Sequence, residues 1–244
     1  GGGADPPTGK SYSFDGVGDY VLADGAASVV DFNNSPHSIS CWFNVPPTAA
    51  PLQILWSFAN SAAAASMYML SVAASGSLYL YGRGDVSGQY PIGLHPVLFG
   101  SGYDDGAWHH AAITYDGATD LNVYIDGVAQ APVVVAAGAL TSDILSVGAR
   151  RSATATSLAL LGLIHRASIY NSELTAGEVA AVYNAGSPPD EMTLTPPPLN
   201  YYRFGNGDTR FRVLKDYGTS PQDGLAYNMA LSPPPPGAIV SDAP

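Results

Sequence analysis

Apolar and polar positions alternate with a period of two along most of this chain, the pattern of strands buried on one face only. The clearest case is 121–125, where Leu121, Val123 and Ile125 alternate with Asn122, Tyr124 and Asp126. In 78–81, Leu78 and Leu80 fall on one side of a strand and Tyr79 and Tyr81 on the other. The same logic predicts strands at 12–14, 20–22, 39–45, 54–58, 67–73, 108–115, 133–135, 144–147 and 158–170. That makes about a dozen short strands, the spacing of an antiparallel sandwich.

Turn chemistry falls between them. Asp-Gly pairs begin at Asp15, Asp24, Asp105, Asp116, Asp126 and Asp223, and Ala74-Ser75-Gly76 has the length and terminal glycine of a bulged three-residue hairpin loop. The period changes once. Thr175 and Glu178 form a capping box, Leu174 can staple onto Val179, and Gly186 is a stop signal. This predicts one short helix that buries Val179, Val182 and Tyr183 against a sheet. Residues 82–106 form a long glycine-rich excursion, of a length that is usually functional or poorly ordered.

Composition narrows the class. Of 244 residues, 46% are hydrophobic and 12% charged, enough for one large core without disulfide or metal staples. Nine Lys and Arg against twenty Asp and Glu give a net charge of −11, with no basic run longer than Arg150-Arg151, which excludes a nucleic-acid interface and disfavours an anionic membrane surface. No apolar stretch is long enough to span a bilayer, so membrane insertion is not expected, and residues 1–10 show neither a basic nor an apolar region of a secretion signal. The single Cys41 reads as a small buried hydrophobe. The domain division expected is a Gly/Pro arm at 1–10, a jelly-roll domain at 11–186, and a proline-rich arm at 187–244 that lies on a neighbouring surface or subunit.

Five segments together carry a family likeness. Ser13-Phe14-Asp15-Gly16 with Asp19-Tyr20-Val21, Trp108-His109-His110 through Asp116-Gly117, Val123-Tyr124-Ile125-Asp126-Gly127, Ile169-Tyr170-Asn171, and Leu174 to Asn184 resemble the laminin-G-like branch of the concanavalin A-like jelly-roll superfamily. The resemblance implies an all-β fold, two antiparallel sheets face to face, one curved and one flatter. It does not by itself imply a function, because lectins, hydrolases, adhesion modules and virion proteins share this fold. Residues 199–205, 216–218 and 227–229 are similar to the opening of a second such unit that then stops, a truncated ending of the kind seen in laminin-G-like bacteriophage proteins.

Catalysis finds little support. The superfamily's hydrolases, as the resemblance implies, use a Glu-x-Asp-x-Glu strand, whereas the glutamates here are Glu173 and Glu178 at the helix and Glu191 in the proline-rich segment. Retaining hydrolysis needs two carboxyls about 5 Å apart, and no strand supplies them. His109 and His110 are neighbours in a strand, so they point to opposite faces and cannot share a metal. No catalytic residue is assigned.

Calcium is the metal that oxygen-rich loops suit, and Asp104 and Asp105 are the densest candidates, with turn formation as the simpler reading of both. The Ile164-His165-Arg166-Ala167 stretch lacks the acid that family members place there. Arg83-Gly84-Asp85 matches an integrin-binding tripeptide, a signal too short to carry adhesion. Sugar binding needs an aromatic platform and polar groups around it. Tyr79, Tyr81, Tyr90 and Tyr103, with Arg83, Asp85, Asp104 and Asp105, are the candidate set.

The expectation is therefore a non-enzymatic structural protein on a virion surface, a capsid decoration or fibre-associated subunit that can also adhere to glycans. Its partners would be further copies of itself or other virion proteins, held through the arms. The alternative is a secreted or cell-surface lectin-like module, with a hydrolase as a remote third.

Overall fold

The computed structural model describes residues 11–27, 35–47, 52–62, 66–84, 97–133, 140–151, 156–204, 213–228 and 239–240, and within them the alternating segments become strands. The exception is 133–135, where Val133 makes only an isolated bridge to Leu121 and 134–135 lie outside the described residues. In chain order the strands are β1 (Ser11–Asp15), β2 (Tyr20–Leu22), β3 (His37–Asn44), β4 (Leu52–Ala59), β5 (Met67–Ala73), β6 (Leu78–Arg83), β7 (Val97–Phe99), β8 (Trp108–Tyr115) and β9 (Leu121–Ile125). They continue with β10 (Val128–Ala129), β11 (Ile144–Val147), β12 (Arg150–Arg151), β13 (Thr156–Ser157), β14 (Leu161–Tyr170), β15 (Asn200–Tyr202), β16 (Val213–Leu214), β17 (Gly224–Tyr227) and β18 (Ile239–Val240). The helices are α1 (Asp24–Ala27), a single turn that the sequence reading missed, and α2 (Ala176–Tyr183).

Two eight-stranded antiparallel sheets result. The first runs β10-β9-β8-β3-β14-β1-β18, with β15 also on β14; the second runs β16-β17-β2-β11-β4-β5-β6-β7. Cross-strand pairs such as Ile113 opposite Val123 and Tyr115 opposite Leu121 send their side chains into the shared core. Leu78 and Leu80 enter the same core from the second sheet, beside Leu70, Val72 and Phe58. Cys41 is buried there, and burial pushes its thiol pKa up, which leaves it unreactive.

The turns follow the sequence closely. Asp126 (φ 51°) and Gly127 (φ 75°) both take the left-handed conformation that a two-residue hairpin between β9 and β10 requires. Gly76 (φ 73°) closes the β5–β6 loop. Thr175 and Glu178 form the capping box in both directions, and Leu174 and Val179 are buried in one cluster. The helix stops at Asn184 (φ 45°), ahead of the glycine expected to end it.

The proline-rich segment differs from expectation. Its described part is no extended arm but contributes four strands, β15 to β18, to the chain's own sheets. β15 pairs with β14, setting Tyr202 opposite Ala167, while β17 pairs with β2, setting Tyr227 opposite Tyr20. Tyr202, Phe204 and Leu214 enter the main core, and Phe204 meets Tyr12 edge-on at 5.5 Å. Buried Asp216 fixes the intervening turn by accepting from Tyr201 N (2.7 Å), Gly218 N (2.8 Å), Gln222 N (2.7 Å) and Asn200 Nδ2 (2.6 Å). Arg166 donates to the carbonyls of Pro188 and Pro189, so the prolines' acceptors hold the segment although they lack donors. Strands β15 to β17 thus pair within the chain.

Candidate functional site

Each sheet has an outer face, and the two are finished differently. On the first, α2 lies across the strands and buries Val179 and Val182 with Ala112, Tyr124 and Tyr170. Trp42 is buried there in a three-ring cluster with His110 (5.1 Å) and Tyr183 (5.6 Å), ring centre to ring centre, which also touch each other at 5.8 Å. This accounts for His110, which together with Trp42 supports the helix.

On the second sheet, alternation sends the odd-numbered residues of β5 and β6 outward. Ile54, Ala59, Met67 and Met69 form a buried bed, against which Tyr79, Tyr81, Ile144 and Leu158 rest half-buried. Tyr81 is opposite Met69, and Tyr79 lies between Ser71 and Leu98. Arg83, opposite Met67, is exposed at the end of β6. Burial, and secondarily the neighbouring Tyr81, raises the Tyr79 pKa, so the Tyr79 phenol stays a neutral donor and acceptor at any physiological pH. Beds of methionine adapt to irregular ligand shapes, and phenol rims offer a ring face and a hydroxyl.

The other sequence candidates separate from this face. Tyr103 donates its backbone N–H to Gly76 O (2.9 Å), packs against the main core and meets His109 edge-on at 5.2 Å. Asp104 lies against Gly76, close enough that any side chain there would collide with it. His109 bridges two carboxylates, with Nδ1 2.8 Å from Asp126 and Nε2 3.2 Å from Asp105. Burial alone would lower the His109 pKa, but Asp126 and then Asp105 outweigh it and raise it. Asp105 also accepts from Ala107 N (2.7 Å), and its pKa falls despite some desolvation because of that bond and His109. Tyr103, Asp104 and Asp105 thus anchor a loop at the end of the sandwich. Asp85 and Tyr90 lie outside the described residues.

Among the described residues no group of three or more His, Cys, Asp or Glu is placed to hold a metal. Two of the three glutamates have structural work: Glu178 closes the capping box, and fully buried Glu191 accepts from Tyr170 Oη at 2.6 Å. No helix among the described residues is long and apolar enough to cross a membrane. The sequence reading missed Met67 and Met69, although their alternation with Tyr68 and Leu70 was a signal for an outward apolar bed.

Residues 15–180 match the family model described as the concanavalin A-like lectin/glucanases superfamily. The fold is similar to the CBM40 module of the Ruminococcus gnavus IT-sialidase, at 16% identity and a TM-score of 0.57, over 71% of this chain and 97% of that one. It is also similar to a proposed carbohydrate-binding protein from Bacteroides ovatus (14% identity, TM-score 0.59), over 96% of this chain and 61% of that one. A third likeness is to the heptameric SAP-like pentraxin of Limulus polyphemus, at 13% identity and a TM-score of 0.50, over 72% of this chain and 82% of that one. None of the curated proteins matches the chain.

Proposed function

The chain belongs to the concanavalin A-like lectin/glucanases superfamily, and from that premise we propose that it is a non-catalytic carbohydrate-binding module acting outside the cell. The observation that carries the reading is the outer face of the second sheet, where Tyr79 and Tyr81 stand half-exposed over the Met67–Met69 bed beside the exposed guanidinium of Arg83. A pyranose ring presents C–H faces that stack on a phenol, and hydroxyls that a phenolic OH or guanidinium can hold. The commitment of Glu178 and Glu191 to capping and to a buried hydrogen bond supports a binding role over hydrolysis. The fold shared with carbohydrate-binding modules supports the ligand class by analogy.

The test is a glycan array probed with the full chain and with a Tyr79→Ala/Tyr81→Ala double variant. Saturable binding that the double variant loses at least about tenfold, roughly 1.4 kcal/mol, supports the reading, and binding that survives the substitutions removes this face as the site. Polysaccharide turnover by the purified chain would overturn the non-catalytic assignment.

A further inference from the structure

A second aromatic feature lies on the same face, and one of its residues, Tyr227, comes from a part of the chain that the family match does not reach. Val21 and Ala226 point into the core, so Tyr20 and Tyr227, in register across the β2–β17 pair, point outward on the same side as Tyr79 and Tyr81. Their rings are parallel within 8° at a centroid distance of 4.9 Å. The Arg151 guanidinium sits 5.2 Å from the centre of the Tyr20 ring. Tyr227 comes from β17 and Arg151 from the β11 side of β2, so the two flank Tyr20 and form a three-rung ladder. Stacked phenols at this distance and a guanidinium over a ring are each favourable contacts. Tyr20, 8% exposed, is the consumed middle rung; Tyr227, 38% exposed, is the end rung among the described residues, and Leu225 beside it is 49% exposed. Asn228 follows, its side-chain amide donating to Gly18 O at 2.8 Å, which holds the β17 end in place.

We infer that the Tyr227 end of this ladder is a second glycan-binding station, distinct from the Tyr79–Tyr81 face. Tyr227 and the Tyr79–Tyr81 face are separated by β2, β11, β4 and β5, so at strand spacing they stand about 24 Å apart, too far for one sugar ring to touch both. The β12–β13 hairpin is seated beside β11 and β4 between them. A protein partner needs an interface of roughly 800 Å² a side, whereas the exposed large apolar side chains of β17 are Leu225 and Tyr227 alone. A single pyranose needs one ring face with polar groups at its margin, and Tyr227 with Asn228 and the exposed strand end fits that scale. The ligand class is taken from the reading above and rests on it; the location does not.

The experiment follows isotope-labelled tyrosine rings by NMR while the full chain is titrated with α2,3-sialyllactose, a neutral glucan tetrasaccharide and the strongest array binder. Tyr→Phe variants assign the signals. The expected result is saturable shifts at Tyr227 and Tyr20 that persist in the Tyr79→Ala/Tyr81→Ala variant, with the Tyr20 shift lost in Tyr227→Ala, where binding is weakened tenfold or more. Tyr227→Phe, which keeps the ring, should retain the Tyr20 shift. Shifts at Tyr79 and Tyr81 with none at Tyr227 would overturn the second station and leave the first. Silence of all these tyrosines with every probe would overturn both, and shifts at Tyr227 alone would overturn the first and keep the second.

Discussion

The outer faces of the two sheets began from the same problem, an apolar surface on the far side of a strand layer, and met it in opposite ways. The first sheet received α2, which buries Val179 and Val182 and closes the cluster of Trp42, His110 and Tyr183. The second, on the described residues, carries no helix on that side, and its Met67–Met69 bed is bounded by half-buried tyrosines. A helix removes a face from solution entirely, whereas a rim of phenols excludes water from the bed and still presents polar ring edges. Stability should therefore concentrate on the first face and binding on the second.

The largest expected effect tests the stability half. Trp42→Ala deletes a fully buried ring beneath α2 and should cost roughly 3 to 5 kcal/mol, read as a fall in the urea midpoint. A cost below about 1 kcal/mol would mean that the helix contributes little and that the contrast is false.

The next effect is in pH. His110 is fully buried, neither ring nitrogen has a partner among the described residues, and burial, only partly opposed by Asp126, lowers its pKa from 6.5 to about 4. The unfolded chain takes up the proton first, so this group's stabilising contribution is complete above pH 6.5 and is lost as pH falls toward 4, on the order of 3 kcal/mol in all. Buried His37, lowered to about 4 as well, acts in the same sense. Asp19 opposes them: burial and Asp15 raise its pKa from 3.8 to about 6, so its contribution is present below 3.8 and lost as pH rises through 6. His110→Phe, which keeps a ring in the stack, should reduce the pH slope of stability between 6.5 and 4 in urea titrations; an unchanged slope would place the pH sensitivity elsewhere.

The smallest expected effect sharpens the binding half. Tyr79→Ala and Tyr81→Ala each remove a half-exposed ring and should lower stability by only about 1 kcal/mol without altering that pH slope. A loss as large as that of Trp42→Ala would make the tyrosines part of the core instead of a surface for ligand.

The contrast was partly legible in the sequence. The period of two placed Leu78 and Leu80 inward and Tyr79 and Tyr81 outward, and the capping box at Thr175 and Glu178 located α2 and its buried side. These features are local, and local pattern encodes them. The fate of the proline-rich segment was not legible, because nothing near Tyr201-Tyr202 states that their partners are Ser168 and Ala167, and prolines on either side mimic a solvated arm. The Tyr20–Tyr227 stack was hidden for the same reason, its two rings coming from opposite ends of the chain. Tyr103, Asp104 and Asp105 were singled out for their chemistry, but hydrogen-bond partners at Gly76, Ala107 and His109 decide their role, and composition does not reveal partners.

The pairing of β17 with β2 also sets an order of events during synthesis. β2 leaves the ribosome early, gains β11 on one edge much later, and waits for residues 224–227 before its other edge is closed. Until then that edge is a row of unpaired backbone donors and acceptors, the feature by which nascent chains recruit one another. Such distant pairings make for slow folding, so the yield of this protein in a cell should depend on how long the β2 edge stands open.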